Sequence, residues 1–235
     1  MKRTNPMLAL AGVLAVCLTS LPSGAADDKK ADASGATPAG AQAGAKPQAD
    51  ADGFYTLFNG KSLDGWKPNE NPQAFKVEDG RLVVNGERAH LFYVGPVNNG
   101  EFKDFHFKAE VMTMPNSNSG IYFHTKHQDE GWPSKGFEAQ VNNTYAKDPK
   151  KTGGLYGIRD VMNTATVKDN EWFTYDIIVK GNHVEIKING KTTAEWTQPA
   201  DWKSGGRRIG GGTFALQAHD PASKVMYRNI RVKPL

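Results

Sequence analysis

The sequence predicts an all-β domain, a sandwich or barrel of short strands, over residues 52–235. Three observations predict it. Short runs alternate apolar and polar residues, as strands with one buried face do. Gly, Asn, Asp and Pro separate those runs. No stretch carries the long apolar period of an amphipathic helix, so any helices are expected to be short and peripheral.

The N-terminal part has another character. All 23 aromatic residues (11 Phe, 7 Tyr, 5 Trp) lie from Phe54 onward, and a segment without them buries too little apolar surface to offset its ordering entropy. Lys2 and Arg3 precede the apolar run "MLALAGVLAVCLTSL", followed by Pro22 and "SGAA". That order is the order of a secretory signal, with cleavage expected after Ala26; the run is too short for a transmembrane anchor. The protein is therefore expected to be periplasmic or secreted, with no membrane insertion once the signal is removed. The sole cysteine, Cys17, follows Val16, where a lipoprotein signal would place a small residue, so lipid anchoring there is the less favoured alternative. Cleavage after Ala26 leaves no cysteine for a disulfide, a thiol nucleophile or a thiolate metal site. Residues 27–51 are Ala, Gly, Pro and Asp without hydrophobic period, a flexible tether.

From position 52 the chain holds 24 basic and 21 acidic residues with no Lys/Arg stripe. That is too weak a field to recruit nucleic acid. The strands follow in order. "FKVEDGRLVVNG" is a hairpin turning at Asp79-Gly80. "DFHFKAEVMTM" sets Phe105, Phe107, Ala109 and Val111 against His106, Lys108 and Glu110. "SGIYFHT" sets Ile121 and Phe123 against Tyr122 and His124, and "GFEAQV" sets Phe137, Ala139 and Val141 against Glu138 and Gln140. Another hairpin turns at Gly181-Asn182, with a second tight turn at Asn189-Gly190. "TFALQAH" sets Phe214 and Leu216 against Ala215, Gln217 and His219, and "KVMYRNIRV" closes the chain. Residues 199–208 read as short turns.

The polar faces decide the function class. Glu110, Tyr122, His124, Glu138, Gln140, Gln217, His219 and Arg228 are types that make directed hydrogen bonds, unlike the Lys, Ser and Thr of an ordinary wet face. If their strands pair into one sheet they form a concave polar surface, rimmed by Trp132, Trp202 and Tyr156 from loops. Sugars need that combination, because their C–H faces stack on aromatic rings and their hydroxyls seek paired partners. Each residue also has an ordinary role: Glu138 as a solvated strand residue, the histidines as structural groups, Arg228 as an ion-pair partner, and Asn118-Ser119 as a turn. His90, His106, His127 and His183 are read as surface or structural. No phosphate loop, His-Glu-x-x-His pair or nucleophile elbow is present. An oxygen-liganded divalent cation (Ca, Mn or Zn) leaves no spacing signature and stays open; oligomeric state is not legible.

Five motifs in order, "LFNGKSLDGW", "NSGIYFHT", "GFEAQV", "TGGLYG" and "ALQAHDPASKVMYRNIRVKPL", resemble the 3-keto-disaccharide hydrolase family over nearly all of residues 54–235. The resemblance implies a concanavalin A-like jelly-roll sandwich of two antiparallel sheets, with sugar chemistry on its concave face, in an exported protein. It carries over to Glu110, Glu138, Gln140, His219, Arg228 and Tyr156; His124 departs from the family pattern, where arginine is usual. A standard glycosidase needs two carboxylates, and Gln140, two residues after Glu138, cannot be the second. A glycoside oxidised at C3 needs only a base for its acidified C2 proton, here His219 or Glu138, with Arg228 or a divalent cation at the enolate oxygen. Gln140 and Tyr156 would orient hydroxyls. The competing expectation is a carbohydrate-binding module that holds glycan without chemistry.

Overall fold

In the computed structural model, which describes residues 46–235, fifteen strands build two antiparallel sheets. Strands are numbered β1 to β15 in chain order. The first sheet runs β13 (Lys191–Thr197), β12 (His183–Ile188), β11 (Phe173–Lys180), β6 (Phe105–Thr113), β15 (Val225–Pro234), β4 (Arg81–Val84), β3 (Phe75–Glu78), with β1 (Tyr55–Thr56) also on β15. The second runs β10 (Arg159–Met162), β9 (Lys150–Leu155), β8 (Phe137–Val141), β7 (Ser119–Thr125), β14 (Thr213–Ala218), β5 (Ala89–Tyr93), β2 (Trp66–Pro68). Apart from two short 3-10 turns, Pro72–Ala74 and Val97–Gly100, the described residues hold no helix. None is long and apolar enough to cross a membrane.

The expected hairpins form where turn chemistry demands them. Asp79-Gly80 and Asn189-Gly190 each place two successive residues at positive φ, the conformation of a tight hairpin turn. Gly181-Asn182 joins β11 to β12. The signal segment, Cys17 and most of the expected tether lie outside the described residues. The end of that tether belongs to the domain: Ala49 bridges to Tyr55, and the Asp50 carboxylate pairs with Arg231 at 3.2 Å.

The apolar faces of the sheets meet in one core. Phe214 of β14 packs against Phe105 and Phe107 of β6 at ring-centroid distances of 4.9 and 4.8 Å, and against Phe102 at 4.8 Å. Two phenols tie the sheets through the core: Tyr175 donates to the Gln140 carbonyl at 3.0 Å, and Tyr227 lies 2.8 Å from the Ser119 hydroxyl. Buried polar groups need such partners, so the two bonds also fix how the sheets sit on one another.

Phe214 is fully buried among three phenylalanines, so Phe214→Ala leaves a cavity the core cannot close. It should lower unfolding free energy by about 3–5 kcal/mol in chemical denaturation. A loss below about 1 kcal/mol would mean the sheets do not meet there.

Candidate functional site

On β8, Phe137, Ala139 and Val141 enter the core, which turns Glu138 and Gln140 to the outer face of the second sheet. Pairing with β7 sets Tyr122 opposite Glu138 and Gly120 opposite Gln140. On β14 the same alternation buries Phe214 and Leu216 in the core and leaves Gln217 on the outer face, opposite His90 of β5. The result is a closed set of hydrogen bonds. Tyr122 donates its hydroxyl to Glu138 Oε2 at 2.9 Å. Gln217 Nε2 donates to the Tyr122 hydroxyl at 3.0 Å and to Glu138 Oε1 at 3.2 Å.

Glu138 keeps some access to solvent through the mouth of a cavity of about 250 Å³. The protein nevertheless surrounds its carboxyl closely. Burial pushes the Glu138 pKa up to about 7, against the opposing hydrogen bonds from Tyr122 and Gln217. Burial first, and then the Glu138 charge, drives the Tyr122 phenol well above its ordinary value, so it stays a donor. Gly120 gives the carboxyl its space. A Cβ there would come within 2.9 Å of Glu138 Cγ and Cδ, closer than atoms pack.

Asn118, Trp132, Gln140, Asp148, Tyr156 and His219 complete the cavity. His219 Nδ1 lies 2.7 Å from Asp220 Oδ2. Burial opposes the Asp220 charge, but bonds from His219, Ser223 and the Ala222 N–H hold its carboxyl below its usual range. An ionised Asp220 makes Nδ1 the N–H side of the ring and leaves Nε2 as an acceptor. Trp132 and Tyr145 flank the imidazole at 5.6 and 5.5 Å. Tyr156 donates to Asp148 Oδ2 at 3.0 Å, and burial with the Asp148 bond raises its phenol to about 12.

Seven of the ten sequence candidates therefore gather in one cavity: Tyr122, Trp132, Glu138, Gln140, Tyr156, Gln217 and His219. Three do not. Glu110 and Arg228 lie on the first sheet, paired with each other through β6 and β15 at 2.6 Å, with the guanidinium over Trp172 at 4.1 Å. Arg228 is thus not available to an enolate in this cavity. His124 is turned away by a bulge: β7 carries one extra residue opposite β14, His124 takes a positive φ of 54°, and its ring packs on Phe105 and Phe123 with Nε2 at the Lys103 carbonyl. Trp202, expected at the rim, packs on Trp196 instead.

Sequence reasoning missed Asp148 and Asp220 and read Asn118 as a turn residue; all three sit in loops where no alternation marks a face. The adjacency of His219 and Asp220 was the available signal. His90, read as structural, lies fully buried beside Tyr122 and Trp132 at 5.1 and 5.5 Å, and burial lowers its pKa to about 3, keeping it neutral. Among the described residues no three His, Cys, Asp or Glu side chains gather as metal ligands. A hard divalent cation would draw on cavity oxygens: Asn118 Oδ1 and Gln217 Oε1, both buried without a protein donor, and the Asp148 carboxylate.

Two predictions follow from the Glu138 environment. The folded protein binds more protons than the unfolded chain between the ordinary value of 4.5 and about 7, so Glu138 lowers stability as pH rises through that window. Glu138→Gln removes the slope: relative to wild type, its denaturation midpoint should gain steadily from about pH 4.5 to 7. A difference independent of pH would assign the carboxyl an ordinary affinity. Gly120→Ala should displace the carboxyl toward water and bring its NMR titration midpoint down toward 4.5. An unchanged midpoint would mean the glycine is not what seats it.

Known proteins place this architecture. A crystal structure of a candidate glycosyl hydrolase from Parabacteroides distasonis superposes with a TM-score of 0.67 at 24% identity, covering 79% of this chain and 95% of that one. A galectin-like protein of unknown function from Bacillus subtilis gives 0.56 at 14% identity, covering 80% of this chain and 97% of the other. These likenesses show the fold, a jelly-roll sandwich. A 3-keto-disaccharide hydrolase of Bacteroides thetaiotaomicron is 30% identical over 86 residues, spanning 32% of this chain and 28% of that protein. Residues 53–233 match one family along their whole length. The chain belongs to the 3-keto-alpha-glucoside-1,2-lyase-like domain family.

Proposed function

We propose that this protein cleaves the glycosidic bond of a glycoside carrying a ketone at C3, by removing the C2 proton and eliminating the substituent at C1. One observation carries the reading. A single sugar-sized cavity holds both an imidazole oriented by a carboxylate and a second carboxyl poised near neutrality. A module that only binds glycan has no use for a carboxyl lifted to about 7.

The ketone acidifies C2–H. His219 Nε2 takes that proton, and the C–H electron pair forms the enolate across C2 and C3. As C3=O re-forms, a C1=C2 bond appears and the C1–O bond breaks, its pair leaving on the departing oxygen. Glu138, partly protonated near neutral pH, supplies the proton that oxygen needs. Water then adds at C1 and a proton returns to C2, giving the free 3-keto sugar. With Arg228 on the other sheet and the Tyr156 hydroxyl committed to Asp148, the donors left for the enolate oxygen are neutral: the Asn118 and Gln140 amides. A divalent cation bound to the cavity oxygens would add charge stabilisation of the enolate. Trp132, exposed at the mouth beside His219, offers a stacking face for the sugar or its leaving group. The signal-like first 26 residues extend the proposal to export.

Release of aglycone from a 3-keto-glucoside tests it. His219→Ala and Glu138→Gln should each lower kcat by ~10²–10⁴, whereas Arg228→Ala and Glu110→Ala should stay near wild type. Saturable glycan binding without release would favour a binding module. Loss of turnover in Arg228→Ala with the fold intact would contradict the cavity assignment.

A further inference from the structure

The loop between β8 and β9, residues 142–149, gives the cavity one lining group and one support for another. Asp148 accepts the Tyr156 hydroxyl, and Tyr145 packs its ring on His219. The outer side of the loop is tied to its surroundings by polar bonds. Thr144 donates to Asp169, and the Asn116 carbonyl oxygen of the side chain accepts the Ala146 N–H at 3.2 Å. Its inner side closes around one side chain. Lys151 of β9 is only 6% exposed, and its ammonium donates to the Tyr145 carbonyl at 2.8 Å, the Asp148 carbonyl at 2.9 Å and Asn142 Oδ1 at 3.3 Å. All three of its N–H bonds are thereby used on neutral oxygens, and among the described residues no carboxylate pairs with it.

A buried lysine without a counter-ion is an expensive group to fold around, and burial lowers its pKa against the more distant charges of Asp148 and Asp169. A purely structural loop would be satisfied by a neutral donor. An ammonium differs in making three charge-assisted bonds from one point, which fixes the loop backbone at the two residues that carry site groups.

We infer that Lys151 is a positioning residue: an internal cation around which the 142–149 loop closes, setting Tyr145 against His219 and Asp148 against Tyr156. The inference rests on the keto-glycoside reading for its activity readout and on the loop alone for its structural one. Removing the cation lets both groups drift, and drift of this kind costs roughly 10–100-fold in rate.

The test compares wild type, Lys151→Met, which keeps most of the volume, and Lys151→Ala, which leaves room for a small ion. Turnover of a 3-keto-glucoside is followed beside amide hydrogen exchange at Tyr145, whose N–H bonds Asn142 Oδ1 at 2.8 Å. Both variants should fold, lose kcat/KM by roughly 10–100-fold and lose protection at Tyr145. Methylammonium should restore protection and rate to Lys151→Ala, whereas tetramethylammonium, which has no N–H to donate, should not. Full protection and full rate in Lys151→Met, or defects in Lys151→Ala that methylammonium leaves untouched, would overturn the inference. Protection lost and rescued in a protein that turns over no keto-glycoside would support Lys151 and reject the keto-glycoside reading alone.

Discussion

The register between β7 and β8 is the constraint on which the cavity depends. It sets Tyr122 against Glu138 and Gly120 against Gln140, so the Glu138 carboxyl leans over the one neighbouring position that has no side chain. A slip of one residue would send Glu138 into the core and bring Phe137 or Ala139 to the outer face. Register is held by what lies beneath. Phe137, Ala139 and Val141 belong to the core, and Tyr175 reaches from the other sheet to bond the Gln140 carbonyl. Packing of the two sheets therefore determines where the acid stands.

That position is a compromise between stability and chemistry. Burial raises the Glu138 pKa by favouring the neutral form, while two donors from Tyr122 and Gln217 pull the other way. Burial wins, but not by enough to remove the charge at neutral pH, and a group so balanced can exchange a proton in either direction. His219 is handled differently. Its ring is oriented by the Asp220 carboxylate rather than by burial, and Asp220 is itself fixed by Ser223 and the Ala222 N–H. One wall of the cavity is thus tuned by desolvation, and the ring in the other is oriented by a directed hydrogen bond.

Local chemistry was legible in the sequence, and non-local pairing was not. The Asp79-Gly80 and Asn189-Gly190 turns, and the faces of "GFEAQV" and "TFALQAH", follow from backbone conformation and alternation alone. Which sheet a strand joins depends on contacts far along the chain, so Glu110 and Arg228 looked equivalent to Glu138 yet lie on the other sheet. His124 obeyed the alternation in sequence and broke it in space, because one extra residue in β7 rotates it inward. Asp148 and Asp220 stand in loops, where alternation has no meaning. The jelly-roll fold followed from the order of motifs, and the structure and the family match agree with it.

In the proposed reaction, abstraction of the C2 proton is the step that differs from ordinary glycoside hydrolysis, and isotopic substitution reads it directly. A 3-keto-glucoside deuterated at C2 should be cleaved several-fold more slowly than its protiated form, and the label should be missing from the sugar product when the proton returns from water. Cleavage at equal rates with deuterium retained at C2 would mean that the glycosidic bond breaks by attack at C1, and that His219 and Glu138 serve some other step.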